Sequence, residues 1–381
     1  LLVAPADADA LREVAVGLGF VPLPGWESAP DLILVRYDRP SDRWLLLDVA
    51  TTVSFRSPRG LQLADTAAQV LARRQLRDGI AMPADADAFW LLLLHGLLDK
   101  HGVAPHYRGR LQQLVAAGSG SPVARAACRA AGGRSAPEAF MGAVRSGAWE
   151  ALDELGGRLA AELKRHRAVP ERWRAFSKHV VATARKPLLL RRRRGVSLAL
   201  LGPNGVGKST AAAALQQSFP FESRVVYMGI WKGTGGSRPR QAAEVVTRPL
   251  RIWRRYLRAQ YHQLRGRLVI FDRYVYEALL PARPPLVAAK RPYFWLLVHL
   301  VPPAQSVVVL DVPGPVAYGR KQENPPEELE SERRLYAGLA GRVPSLELVD
   351  AVRGPEAVRA DITAIVWRDL ADRWRGGRLG S

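Results

Sequence analysis

The chain has 381 residues, of which 48% are hydrophobic, and it carries a formal net charge of +21. This length predicts two domains with separate cores, and the apolar content excludes a disordered chain. The charge is uneven: residues 1–100 hold 10 basic and 13 acidic side chains, residues 101–300 hold 35 and 10, and residues 301–381 hold 11 and 12. The middle block favours binding of nucleic acid, an acidic membrane surface or phosphorylated small molecules, unless its arginines simply decorate solvated helices.

The composition also bears on location. The longest uncharged apolar stretches, Phe89–Leu98 and Tyr293–Val301, have about half the length of a bilayer span, so they predict buried helices and no membrane span. The single cysteine, Cys128, cannot form an internal disulfide, which predicts a reducing, cytoplasmic location. The first five residues lack both a starting Met and the layout of a secretory signal, which suggests a fragment.

The first half predicts a small α+β domain with a helical extension. A helical stretch from Asp7 to Leu18 precedes two apolar runs, Asp31–Tyr37 and Trp44–Val49, which together predict a small mixed sheet with one covering helix. From Leu61 to about Lys178, apolar spacings of three and four predict helices. They include Leu61–Leu76, Phe89–Leu98 and Trp149–Leu163, with glycine-rich loops at 118–122 and 132–137.

A domain boundary is predicted near Lys186-Pro187, which gives domains 1–186 and 187–381. The second half alternates apolar runs with helical stretches, an order that predicts an α/β fold with a parallel sheet covered by helices. The predicted strands are Val196–Leu201, Arg224–Met228, Leu268–Phe271 and Ser306–Leu310, the predicted helices between them include Ser209–Phe219 and Pro249–Arg265, and helices follow to the end of the chain.

A glycine-rich segment follows the first of these strands. Gly202-Pro-Asn-Gly205-Val-Gly207-Lys208-Ser209-Thr210 matches the phosphate-binding loop (Walker A) pattern, with an apolar strand before it and an Ala-rich helix after it. Its backbone N–H groups would converge on a phosphate, Lys208 would reach the β- and γ-phosphates of ATP, and Ser209 would hold Mg²⁺. The predicted nucleotide-binding residues are Gly202, Asn204, Gly205, Val206, Gly207, Lys208, Ser209 and Thr210.

A second motif ends a later strand. Asp272 and Arg273 follow the apolar run Leu268–Phe271, and the carboxyl ends of parallel strands are where ligands bind. Asp272 is a candidate for supporting Mg²⁺, directly or through water, and Arg273 for gripping a phosphate. A plain surface ion pair is the alternative for this dipeptide.

The basic segment Arg248–Arg265 predicts a helix. Trp253, Tyr256, Leu257, Gln260, Tyr261 and Leu264 share one face. We predict that this face packs into the core and that the arginines are solvated. Alternatively, the arginines approach an anionic acceptor, or nucleic acid stacks on the aromatic rings.

With these motifs, residues 195–381 resemble the thymidylate kinase family of P-loop nucleotide kinases. The glycine loop, Asp272-Arg273-Tyr274 and the strand end Leu310-Asp311-Val312 occur in the family's order. The resemblance implies an ATP- and Mg²⁺-dependent kinase whose basic lid closes over the transferring phosphoryl group. It nominates Arg320 and Lys321 as lid residues, then Arg333 and Arg334. Arg320 joins Lys208, Asp272 and Arg273 as a predicted catalytic residue, and Lys321 joins the predicted nucleotide-binding residues.

Two departures from the family pattern leave the acceptor open. Asn204 stands where the family usually has an acidic residue, and Tyr227–Gly236 lacks the family's Arg-Glu-Pro-Gly segment. The predicted acceptor is a nucleoside monophosphate or another small phosphorylated or sugar-like molecule. Two alternatives remain, a nucleic-acid-associated P-loop NTPase and a regulatory nucleotide-binding module without an acceptor, and the oligomeric state is open.

The first half is similar to the nucleotidyltransferase fold of the DNA polymerase β superfamily. Asp48 matches the family's third carboxylate, and the expected Asp-x-Asp pair would precede residue 1. Metal-assisted transfer needs several converging carboxylates, so an inactive domain is the alternative. His95, His101 and His106 lack metal-site spacing and are predicted to be structural or exposed.

Overall fold

A computed structural model describes residues 1–28, 31–55, 61–63, 65–133, 136–166, 195–230, 238–281 and 287–375. The chain divides into two compact units, Leu1–Leu34 with Leu46–Lys186, and Val35–Leu45 with Pro187–Ser381. The predicted boundary near residue 187 lies outside the described residues. No described helix has the length and apolar character needed to cross a membrane.

Helix α1 (Ala8–Gly17) and a three-stranded sheet open the chain. The sheet has the order β1 (Val21–Ser28), β2 (Asp31–Asp38), β3 (Arg43–Ala50). Both predicted strands are therefore confirmed, and β1 is an addition to them. The backbone of Leu2 forms a parallel bridge with Ala50 at the end of β3.

The helix predicted over Leu61–Leu76 is wrong in part. The segment forms strand β5 (Leu61–Leu63), helix α2 (Thr66–Ala72) and strand β6 (Gln75–Arg77). Leu61 and Leu63 are buried while Gln62 is exposed, the alternation expected of a strand that pairs, as β5 does, with β4 (Val53–Phe55). Strand β6 forms a second antiparallel pair with β7 (Ile80–Met82).

In the described part of the first unit, which ends at residue 166, five further helices enclose an apolar core. They are α3 (Asp85–Leu94), α4 (Pro105–Leu114), α5 (Pro122–Ala130), α6 (Pro137–Ser146) and α7 (Trp149–Arg165). Trp90 is fully buried, and its indole N–H donates to the carbonyl of Gly118 at 2.7 Å. The carboxylate of buried Asp87 accepts from the hydroxyl of Ser121, which also caps α5.

The second unit is built on a five-stranded parallel sheet flanked by helices, the α/β arrangement of P-loop NTPases. Its strands are β8 (Ser197–Leu201), β9 (Ser223–Tyr227), β10 (Leu268–Asp272), β11 (Ser306–Asp311) and β12 (Leu346–Asp350). Its helices are α8 (Lys208–Ser218), α9 (Arg238–Leu264), α10 (Val287–Leu300), α11 (Gly314–Arg320), α12 (Pro326–Ala337) and α13 (Pro355–Trp374).

The order of the strands positions the site. It reads β12-β11-β8-β10-β9, so β8 is central and all five of its residues are buried. After β8 the chain builds β9 and β10 on one side and then crosses to form β11 and β12 on the other. Such a switch point leaves a crevice at the carboxyl end of the central strand, where the glycine loop begins. Strand β12 corrects the prediction that only helices follow β11.

Helix α9 corrects the predicted aromatic core face. Its buried stripe consists of Ile252, Tyr256, Ala259 and Gln263. Trp253, Leu257, Tyr261 and Leu264 are exposed, so only Tyr256 of the predicted aromatic set lies in the core. Two apolar stripes run along this helix, and the stripe with the smaller residues faces the sheet. The arginines at 251, 254 and 258 are exposed as predicted.

Candidate functional site

The glycine loop joins β8 to α8 and has the tight geometry that its glycines predict. Gly205 has a φ of 81°, and a Cβ at this position would lie 2.5 Å from the carbonyl oxygen of Ala317. Gly207 caps α8 with a φ of 96°. Both conformations favour glycine because L side chains rarely adopt positive φ. The loop therefore lies against α11 and delivers the N-terminus of α8 into the crevice.

Lys208 begins α8 and is buried beneath the loop. Its Nζ donates to the carbonyl oxygens of Gly202 and Pro203, at 2.8 and 2.6 Å. Burial, followed by the nearby charge of Arg273, lowers the pKa of the Lys208 ammonium to about 8. The lysine thus fixes the conformation of the loop, and the charges of Glu277 and Asp272 offset only part of the cost of burying its ammonium group.

The other loop residues differ in exposure. Val206 is buried, whereas Ser209 and Thr210 are exposed in the first turn of α8. Asn204 faces Arg273 at the end of β10, and its Oδ1 accepts a hydrogen bond from Nη2 of Arg273 at 2.6 Å. The amide at the position where the resemblance expects a carboxylate thus contacts the Asp272-Arg273 pair.

Strand β10 brings Asp272 and Arg273 to the same edge. The backbone N–H of Arg273 donates to the carbonyl of Leu200 in β8 at 3.1 Å, although Arg273 has a left-handed φ of 66°. That conformation is uncommon outside glycine, and it turns the chain sharply after the strand. The Asp272 carboxylate is partly exposed, and within the described part of the chain it accepts no hydrogen bond.

Sequence reasoning missed Glu277, which holds Arg273 in place. Its Oε1 accepts from Nη1 of Arg273 at 2.5 Å and from the hydroxyl of Tyr336 at 3.1 Å. Burial alone would lower the pKa of Arg273, but the charge and hydrogen bond of Glu277 raise it above its usual value. Burial raises the pKa of Tyr336, as does the Glu277 charge. The only indication of this role in the sequence is that Glu277 lies four residues after Arg273.

The four nominated lid residues occupy different environments. Arg320 donates to the carbonyl of Ala351 at 2.9 Å, beside α8, and Lys321 pairs with Glu323 on the surface. Arg333 makes a bidentate ion pair with Asp311, at 2.5 and 3.1 Å, and contacts Glu330. Arg334 is largely exposed, 3.6 Å from Glu330. Arg333 therefore joins α12 to the end of β11.

Two cavities flank the glycine loop. One has a volume of about 300 Å³ and is lined by Gly207 and Thr210, by Arg320, and by the segment 351–355 after β12. The other has a volume of about 500 Å³ and is lined by Asn204, Arg273, Glu277, Phe294 and Tyr336 among others. After the roles proposed for them below, we call these the nucleotide cavity and the acceptor cavity. Each is bordered by residues of the glycine loop.

The oxygen donors at the loop suit a hard cation. The hydroxyl of Ser209 and the carboxylate of Asp272 are the kinds of ligand that Mg²⁺ prefers when it also binds phosphate oxygens and water. No cluster of three or more His, Cys, Asp or Glu residues that could hold a metal occurs within the described ranges.

In the first unit, Asp48 is exposed on β3. Its backbone carbonyl accepts from the amino group of Leu1 at 2.6 Å. His95 lies in a single π-helical turn and contacts Asp99 at 2.9 Å. A nucleotidyltransferase site at Asp48 stays a prediction.

Comparisons with known proteins give the chain no family name. No family model and no curated protein matches it. Among solved structures it is similar to thymidylate kinase from Candida albicans, with 16% identity and a TM-score of 0.36, over 47% of this chain and 93% of that one. The features of this chain that bear on its function are consequently the glycine loop and its two cavities.

Proposed function

We propose that residues 187–381 form an ATP- and Mg²⁺-dependent phosphotransferase that acts on a small-molecule acceptor. The observation that supports it best is the buried Lys208 at the N-terminus of α8, in a loop whose neighbouring residues line two cavities, one proposed for a nucleotide and one for an acceptor. A helix N-terminus with converging N–H groups stabilises phosphate oxygens. A second cavity beside the loop favours a transferase over a nucleotide sensor without an acceptor.

Each residue has a distinct role in this proposal. Lys208 exchanges its two loop carbonyls for the β- and γ-phosphate oxygens and neutralises charge that develops during transfer. Ser209 and Asp272 would hold Mg²⁺, which would offset the negative charge of the phosphate groups. Arg273 orients the acceptor at the entrance to its cavity. The glycine and Thr210 N–H groups fix the donor for in-line attack.

The lid residues divide in the same scheme. Arg320 lines the nucleotide cavity and is fixed to the loop after β12, so it contacts the nucleotide at a distance from the acceptor cavity. Arg333 makes two hydrogen bonds to Asp311, so its role in this scheme is to stabilise the fold. Lys321 is exposed and paired with Glu323 on the surface, so it can move toward phosphate.

The test is ADP release from Mg-ATP against a panel of nucleosides, nucleoside monophosphates, sugars and sugar phosphates. We expect Lys208→Met to lower turnover by about 10²-fold or more, because one preorganised charge contact is worth that much in the transition state. Lys100→Met, the same change at an exposed lysine of the first unit, is the matched control. Unchanged ADP release by the Lys208 variant would refute the proposal.

A further inference from the structure

The acceptor cavity carries no net positive charge on the described residues that line it. Arg273 and Lys290 are balanced by Glu277 and Glu332, and the remaining lining residues are neutral. A phosphomonoester brings a charge of about −1.5 to −2 at neutral pH. Burying that charge is costly unless cations pair with it. This balance suits an uncharged acceptor.

Arg273, the cation nearest the loop, is already committed. Its Nη1 donates to Glu277 and its Nη2 to Asn204, so both arms of the guanidinium fork are engaged. Glu277 is only 3% exposed, which makes this a largely dehydrated ion pair. Separating such a pair leaves a buried charge without a partner, at a high energetic cost. A phosphate would have to compete with Glu277 for Arg273.

One carboxylate oxygen of Glu277 has no hydrogen-bond partner among the described residues. Its Oε1 accepts two hydrogen bonds, whereas its Oε2 is buried and accepts none from the described residues. A buried carboxylate oxygen without a partner is uncommon and calls for an explanation. An alcohol acceptor needs a group that takes its proton during transfer, whereas an ionised phosphate acceptor needs none.

We propose that the acceptor is a neutral polyhydroxyl compound of the nucleoside or sugar class, and that the Glu277 carboxylate takes the proton from its reacting hydroxyl. This inference rests on the proposed phosphotransferase function. The hydroxyl oxygen forms a bond to the γ-phosphorus of ATP, and the bond from that phosphorus to the bridging oxygen breaks, releasing ADP. The hydroxyl proton goes to Glu277 and then to solvent. The products are ADP and a phosphomonoester.

The experiment compares matched acceptor pairs, a nucleoside with its 5′-monophosphate and glucose with glucose 6-phosphate. The kcat/KM of each is measured by ADP release, and products are identified by ³¹P NMR. We expect the wild-type protein to prefer the uncharged member at least tenfold. Glu277→Gln should lower kcat/KM for the alcohol by about 10²-fold or more and raise the phosphate-to-alcohol ratio at least tenfold, because it removes the proton acceptor and frees the Arg273 charge.

Tyr336→Phe is the matched control. It deletes the other hydrogen bond to the Glu277 carboxylate but keeps the charge, so the ratio should stay within about threefold of wild type. Thermal melting and binding of a non-hydrolysable ATP analogue report whether each variant is folded.

A wild-type preference for the phosphorylated member of both pairs would overturn the inference and leave the phosphotransferase proposal standing. An equal fall for both members in Glu277→Gln would also overturn it, since that is the signature of a structural role. If the phosphate-to-alcohol ratio of kcat/KM changes as much in Tyr336→Phe as in Glu277→Gln, the effect comes from packing and the inference is overturned. If no acceptor is phosphorylated while the ATP analogue binds, the proposed function fails, and the inference fails with it.

Discussion

Binding of ATP should take up a proton at Lys208. Without nucleotide, burial lowers the pKa of this ammonium to about 8, so above that pH the site holds a neutral amine. Phosphate oxygens replace the two carbonyls that Nζ now contacts and favour the charged form, which returns the pKa to its ordinary value of about 10.5 or above. Between these two values, ATP binds to a neutral site and the complex acquires a proton.

The magnitude follows from the two pKa values. At pH 9, about 0.1 of the empty sites and nearly all of the occupied sites are protonated, so about 0.9 proton is taken up per ATP bound. At pH 7, both states are largely protonated and uptake falls to about 0.1. The same linkage weakens ATP binding about tenfold between pH 7 and pH 9, which corresponds to about 1 kcal/mol.

Isothermal titration calorimetry measures the uptake directly. Mg-ATP is titrated at each pH in two buffers of different ionisation enthalpy, and the difference between the observed heats gives the number of protons exchanged. Lys208→Arg is the control, because a guanidinium stays charged throughout this range and should show no uptake. Heats at pH 9 that do not depend on the buffer, or equal uptake in the arginine variant, would refute the assignment of this titration to Lys208.

Two further substitutions separate steric from electrostatic roles. Gly205→Ala should weaken ATP-analogue binding at least tenfold, because its Cβ would meet the Ala317 carbonyl at 2.5 Å in a left-handed conformation that alone costs about 1–2 kcal/mol. Gly207→Ala is the control, because its Cβ would meet open space and only the cost of the left-handed backbone conformation would remain. If Gly207→Ala weakens binding as much as Gly205→Ala or more, the clash with Ala317 is not the cause. Arg333→Met should lower the melting temperature by about 2–4 °C, because it removes a half-exposed ion pair with Asp311 worth about 1 kcal/mol, while the KM for ATP stays unchanged. A large loss of turnover with normal melting would instead restore Arg333 to the lid, and Arg334→Met is the exposed control.

The sequence was most informative where local chemistry and tertiary structure coincide. The spacing of Gly202, Gly205, Gly207 and Lys208 is constrained by the turn itself, so the loop lies where the pattern predicts it, between a buried strand and a helix. The four predicted strands of the second unit are confirmed within one residue at each end. Three of them, β8, β10 and β11, are inner strands of the sheet and form continuous apolar runs.

Other features depend on contacts that the local sequence does not encode. Strand β12 lies at the edge of the sheet and buries only Val349, so its mixed pattern resembles a loop or helix. Helix α9 has two apolar stripes, and the local sequence does not indicate which of them packs against the sheet. Glu277 acquires its importance from Tyr336, 59 residues away, and from burial beside Arg273. A carboxylate with distant partners has no signature in a single sequence.

A continuous line of hydrogen bonds runs from Tyr336 on α12 through Glu277 and Arg273 to Asn204 in the glycine loop. All four residues line the acceptor cavity, and Asn204 belongs to the same loop as Gly207, which lines the nucleotide cavity. If an acceptor changes the contact between Arg273 and Asn204 and thereby alters the loop, thermodynamic reciprocity requires a nucleotide to change acceptor affinity by the same factor. Through this one loop, the occupancy of one cavity can depend on the occupancy of the other.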